Sequence, residues 1–128
     1  MMQPTFLGVG HESAATFADL AQAVTDALAQ AGVTAAEIAG IATIVQKAEA
    51  GLVAALAREL GVPVRYFSAA ELEAETPRLK NPSEVVFRQM GCHGVAEAAA
   101  LAAGGAEATL VLPKMAGKGV TCAIARAG

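Results

Sequence analysis

Within its first 67 residues the chain alternates three short apolar runs with two longer segments that each end before a glycine. That alternation limits the available folds more than any single residue does. Thr5 to Val9, Ile38 to Val45 and Val64 to Phe67 read as buried strands. Between the first two, Ser13 to Ala31 is predicted to be a helix with Ser13 as its N-cap. Phe17, Leu20, Val24 and Leu28 recur at steps of three and four, giving one apolar face, and Gly32 is the expected stop. A second helix is predicted from about Lys47 to Leu60, ending before Gly61. Pro63 lacks a ladder donor and so belongs at the beginning of the third strand. Strand–helix–strand order of this kind calls for parallel crossovers, with helices covering the sheet.

The second half breaks the pattern. Ala69 to Glu75 reads as a short helix leading into the proline-bearing loop 76–82. Ser83 has capping character, and Glu84 to Met90 is predicted helical, although Val85, Val86 and Phe87 would also suit a strand. A turn at Gly91 to Gly94 precedes the alanine-rich helix Val95 to Ala103, which Gly104 and Gly105 end. Thr109 to Leu112 and Val120 to Ala125 are predicted strands separated by the loop 113–119, a spacing that suits a loose hairpin. The expectation is therefore a single α/β domain over residues 1–128, three layers deep (α/β/α), with a mixed, mostly parallel sheet of about five strands.

Composition narrows the function classes. The chain has 128 residues, of which 55% are hydrophobic and 16% charged, enough for one core. A net charge of −3 gives no general attraction to nucleic acid or to an acidic membrane, and with 4% aromatics there is no row of stacking side chains. Neither partner is expected. Cys92 and Cys122 make no disulfide framework and no Cys-x-x-Cys pair, which favours a reducing, cytoplasmic setting. The first residues lack the basic region and apolar run of a signal peptide, and no apolar stretch reaches the length of a membrane span.

Candidate functional residues collect at predicted strand ends, where open α/β sheets gather their ligand-binding groups. Gly8 and Gly10 let the backbone turn or approach a ligand, and Glu12 and Ser13 follow at the predicted start of a helix whose N–H groups could meet a carboxylate. Neither the dinucleotide fingerprint nor a phosphate loop is complete, because Ser13 stands where the third glycine would be. Lys47 and Glu49 open the second predicted helix, beyond Thr43 at the end of a strand. A lysine there opposes the helix dipole, which suits a role in holding a carboxylate or pairing with an acid as well as that of an exposed side chain. Glu97, early in the alanine-rich helix, is a candidate general acid or base, or a helix N-terminal acid. His11 and His93 could move protons or meet the axial face of a metal-containing ligand, or could be incidental. No ligand cluster has the spacing of a protein metal site, and no resident cofactor is expected. Arg78, Lys80, Lys114, Lys118 and Arg126 place positive charge near loops. Their convergence with Lys47 would suit a ligand with several carboxylates.

The chain resembles the CobE family of cobalamin (vitamin B12) biosynthesis and the C-terminal domain of CbiG, a cobalt-precorrin-5A hydrolase. The resemblance extends over nearly the whole chain, and its matching positions are Gly8 and Gly10, then Thr43, Lys47, Glu49, Gly51 and Leu52, then Gly91 and the run from Val95 to Leu101, and finally Pro113, Lys114, Thr121, Ala123, Ala125 and Arg126. The resemblance implies an α/β domain that works on a precorrin or cobalt-precorrin tetrapyrrole, alone or with other cobalamin-pathway enzymes. On this reading Lys47 and Lys114 hold peripheral carboxylates, His11 and Glu97 handle protons, and Gly10 and Gly91 allow close approach, with Gly8, Glu12, Ser13, Thr43, Glu49 and His93 completing the ligand site. The implied roles are binding, as an accessory or carrier, or hydrolysis, in which water attacks an activated lactone or ketone-related centre and a two-carbon fragment leaves. A structural interaction domain with no tetrapyrrole ligand is the alternative of a different class. Two departures stand out. The family commonly has Cys-Arg-Arg-Gly where this chain has His11, Glu12, Ser13 and Ala14, and a serine where it has Gly94.

Overall fold

A computed structural model describes residues 3–128. Five strands, β1 (Thr5–His11), β2 (Ile38–Ile44), β3 (Val64–Phe67), β4 (Thr109–Ala116) and β5 (Val120–Arg126), form one sheet in the order β3-β2-β1-β5-β4. The β1–β2 and β2–β3 pairings are parallel, and β5 runs antiparallel to both β1 and β4. Four strands thus point one way and β5 against them, giving the mixed, mostly parallel sheet expected. Helices α1 (Phe17–Ala31) and α2 (Leu52–Leu60) cover one face, and α3 (Ala69–Glu73), α4 (Glu84–Met90) and α5 (Ala96–Gly104) lie on the other. No helix among the described residues is long and apolar enough to cross a membrane.

The two faces pack differently. Leu7, Val9, Ile41, Cys122 and Ile124 meet Leu20, Val24, Ala27, Val53 and Leu56 in a core of large aliphatic side chains. The opposite face carries Gly8, Ala42, Ala123 and Ala125, against which α5 lays Ala96, Ala99, Ala100 and Ala103. Every residue of α5 from Ala96 to Leu101 is buried. A helix buried all round cannot be amphipathic, which explains its near-uniform alanine.

Local chemistry shifts several expected boundaries. Ser13 does not cap α1. Thr16 does, in a capping box with Asp19, because its hydroxyl accepts from the Asp19 N–H while the Asp19 carboxylate accepts from the Thr16 N–H. β1 extends to His11, so Gly10 and His11 belong to the strand rather than to the loop after it. The segment after β2 is a 3₁₀ helix, Val45–Ala50, that ends at Gly51 with φ 75° before α2 starts. Lys47 and Glu49 therefore lie ahead of α2 rather than in its first turn. Glu84 to Met90 is a helix, not a strand. The predicted 113–119 loop is mostly strand: β4 runs on to Ala116 through two register shifts, the second between Leu112 and Met115. Pro113 sits in that bulge on an edge strand, where its missing N–H disturbs no ladder.

Candidate functional site

The carboxyl ends of β1, β2 and β4 meet the beginning of β5, and above them opens a cavity of about 500 Å³. β1 contributes Gly10 and His11, followed by Glu12 and Ser13. Ile44 comes from the end of β2, Lys47 from the 3₁₀ helix that follows it, and Lys114 from the bulge of β4. The roof is α4, through Val86, Gln89 and Met90, and the start of α5 adds Gly94 and Val95. Ala116, Gly117, Gly119, Val120 and Thr121 complete the wall at the β4–β5 turn. Neither Lys47 nor Lys114 is paired with a carboxylate among the described residues. The cavity is thus an apolar hollow edged by two ammonium groups and one carboxylate, Glu12.

His11 is 8% exposed. Strand alternation turns it to the α1 side with Leu7 and Val9. Its Nδ1 lies 2.9 Å from the Glu12 carbonyl oxygen. A carbonyl only accepts, so Nδ1 carries the hydrogen, and the tautomer that this bond selects has its lone pair on Nε2. That Nε2 is buried with no hydrogen-bond partner, alone in this among the side-chain nitrogens and oxygens described.

Of the residues singled out in the sequence, Gly10, His11, Glu12, Ser13, Lys47 and Lys114 come together, while Gly8, Thr43, Glu49, Gly91, His93 and Glu97 are not part of the lining. Thr43 is fully buried and donates its hydroxyl to the Val9 carbonyl at 2.7 Å, tying β2 to β1. Gly8 lies beneath α5. Gly91 closes α4 in a left-handed conformation with φ 81°, Glu49 is exposed, and His93 sits behind α4, bonded to Glu73 at 2.9 Å.

Glu97 is held in a network of hydrogen bonds. Its carboxylate accepts four hydrogen bonds, from the Lys80 N–H at 3.0 Å and from the Asn81 N–H, Asn81 Nδ2 and the Lys114 N–H at 2.9 Å each. Burial pushes the carboxyl up, but these donors, the Lys114 N–H foremost, outweigh it and hold the group below the usual glutamate range. A carboxylate so occupied is poorly suited to exchanging protons with a ligand. It fastens the 80–81 loop and the β4 bulge to α5, and so positions Lys114.

The expected convergence of loop cations is also only partial. Arg78 turns away to the far end of α5, donating to the carbonyls of Leu101, Gly105, Ala106 and Ala108 while pairing with Glu75. Of these carbonyls Leu101 belongs to α5 and the other three to the segment between that helix and β4, which Arg78 thereby ties down. Sequence reasoning does not find α4 as the roof. Val86 and Met90, four residues apart behind a Ser83 cap, are the available sign of a helix with one apolar face.

These features define a three-layer α/β domain with a lysine-edged cleft at its strand ends. The family described as cobalamin synthesis G C-terminus matches residues 5–125, and the chain belongs to that family of cobalamin biosynthesis proteins. Protein CobE of Sinorhizobium sp is 41% identical over 119 residues, which is 93% of this chain and 77% of that protein. The crystal structure of CobE, a protein from the cobalamin (vitamin B12) biosynthetic pathway, superposes with a TM-score of 0.90 at 32% identity, covering 98% of this chain and 92% of that one. The cobalamin biosynthesis protein chiG of Agrobacterium tumefaciens str. C58 gives a TM-score of 0.75 at 31% identity, covering 97% of this chain and 98% of that one.

Proposed function

We propose that the strand-end cleft binds a carboxylate-bearing precorrin or corrin intermediate of cobalamin synthesis, and that the domain acts as its carrier or as an accessory to a pathway enzyme in a reducing, cytoplasmic setting. The observation that carries this reading is the pair of lysines, Lys47 and Lys114, on one apolar hollow lined by Ile44, Val86, Met90 and Val95. A flat macrocycle rimmed with carboxylates needs both: apolar surface against the ring and ammonium groups at its edge. The cations come from the 3₁₀ helix after β2 and from β4, since Glu12 and Ser13 stand where the resembling family has arginines. His11 Nε2 adds an acceptor close by, and on this observation rests the second reading, hydrolysis with the imidazole as base.

Anaerobic titration with a panel of precorrin and corrin intermediates, following absorbance and ligand mass in the same samples, tests both readings. A complex with unchanged ligand mass supports the carrier, and loss of a two-carbon fragment supports the hydrolase. Absence of binding across the panel contradicts both, in favour of an interaction domain. Lys47→Ala and Lys114→Ala are each expected to weaken binding about tenfold, with a smaller loss at high salt because part of the attraction is already screened. Isothermal titration at two ionic strengths checks this.

A further inference from the structure

The helix that roofs the cleft is weakly anchored. No residue of α4 is buried, and its Val85 and Phe87 are 52% and 40% exposed. Val86 and Met90 pack only partly against the small core under α5. A good part of what fastens it runs through one residue in the following turn, His93. The His93 carbonyl accepts the Ser83 N–H at 2.8 Å, at the start of α4. The imidazole stacks on Phe87 with ring centroids 4.3 Å apart and planes 18° from parallel, and its Nε2 lies 3.4 Å from the Glu84 carboxylate. On the other side Nδ1 lies 2.9 Å from both oxygens of Glu73 on α3, and the His93 N–H donates to the same carboxylate at 3.0 Å. We propose that His93 is a proton-operated latch that docks α4 over the cleft and thereby governs how long the cleft retains its ligand; the second half of this statement rests on the reading of the cleft given above.

The two ring nitrogens divide the work. Glu73 fixes the Nδ1 hydrogen, so the proton that leaves first is the one on Nε2, which faces Glu84 and therefore α4. After it leaves, an Nε2 lone pair confronts the Glu84 carboxylate, and the charge stacked on the Phe87 ring is lost. Among the described residues the charged groups within ion-pair distance of the ring are Glu73 from α3 and Glu84 from α4. Cys92 beside it stays a thiol, because burial pushes its pKa up. The hydrogen bond to Glu73 holds the imidazole above its ordinary range, and the bond to His93 holds Glu73 below the carboxylate range. The latch contribution is therefore complete below the ordinary imidazole value of about 6.5 and is lost as pH rises through the raised value, while Glu73 stays ionised across that window.

Amide hydrogen exchange of residues 84–90 in the ligand-free protein, corrected for intrinsic exchange, tests the latch between about pH 6 and about pH 9. Protection is expected to fall about threefold to tenfold in a single titration step, in keeping with a partly exposed ion pair plus one stacked ring. Glu84→Ala, at a side chain that is 76% exposed, should remove most of that step without unfolding the protein. His93→Phe, which keeps a stacking ring, should remove all of it. Dissociation of cobyrinic acid, a corrin with peripheral carboxylates, should accelerate through the same step in the wild type only. Protection of α4 that is flat with pH, or a step unchanged in both variants, overturns the latch. A step in exchange with no corrin binding contradicts the ligand reading and leaves the latch standing, and a step in exchange with pH-independent dissociation overturns the control of retention.

Discussion

Glu97→Ala is expected to lower the stability of the domain by roughly 3–5 kcal/mol, since it strands N–H donors that one carboxylate now satisfies. Glutamine does not repair the loss. Oε1 accepts from the Lys80 and Asn81 N–H groups, and Oε2 from Asn81 Nδ2 and the Lys114 N–H. With its NH₂ on the Oε1 side the substituted amide meets two backbone donors; on the Oε2 side the Asn81 amide can turn over to offer Oδ1 and only the Lys114 N–H is left facing a donor, so Glu97→Gln should cost about 1–3 kcal/mol. Urea denaturation of the three proteins measures this. A loss below about 1 kcal/mol in both variants would contradict the assignment of Glu97 as an anchor.

The pH dependence follows with a definite sign. Burial works against ionisation of Glu97, but the four donors win and the folded carboxyl titrates below its unfolded value. Its contribution is therefore fully present above about pH 5 and lost as pH falls through the depressed value. The stability difference between wild type and Glu97→Gln should be constant above that range and shrink below it.

Glu97 also shows where reading the sequence stops. An acid two residues into an alanine helix is legible as something other than core filling. What it faces depends on a bulge in β4 and on the loop before α4, neither of which leaves a periodic trace. The same holds for Lys114, whose N–H is released toward Glu97 by the register shift beside Pro113. The strand–helix order, the glycine stops and the hairpin are legible because each rests on a local pattern. Thr16 is legible as the cap too, although Ser13 is the expected one, because Asp19 stands three residues on, the spacing a capping box needs. Of the site, the strand-end residues Gly10, His11, Lys47 and Lys114 can be found from sequence, whereas α4 as roof and His93 as its fastening depend on the tertiary placement of a seven-residue helix.

Gly8→Ala is the second large effect. A methyl group there would collide with the Ala96 carbonyl oxygen and lie 2.8 Å from the Ala100 nitrogen, both in the backbone of α5. No rotamer change relieves a clash with backbone, so α5 must lift from the sheet along the face where alanine permits close approach. The expected cost is about 3 kcal/mol or more, seen as a fall in Tm of roughly 10 °C. Because the start of α5 walls the cleft, ligand affinity should fall as well. Gly40→Ala is the internal control: its nearest neighbours are Phe6 ring atoms at 3.4 Å, an ordinary contact, and its stability should change by less than about 1 kcal/mol. Equal losses at both positions would show that the closeness of α5 to β1 is not what Gly8 serves.

The central claim, that the strand-end cleft is the tetrapyrrole site, is tested most directly by amide chemical-shift mapping of the isotope-labelled protein with cobyrinic acid. The account predicts perturbations that converge on Gly10 to Ser13, Lys47, Val86 to Met90, Val95 and Lys114 to Gly117, with Arg78 and Gly105 at the far end of α5 unmoved. Perturbations gathered at that far end or along the outer edge of β3, with the cleft unchanged, would contradict it.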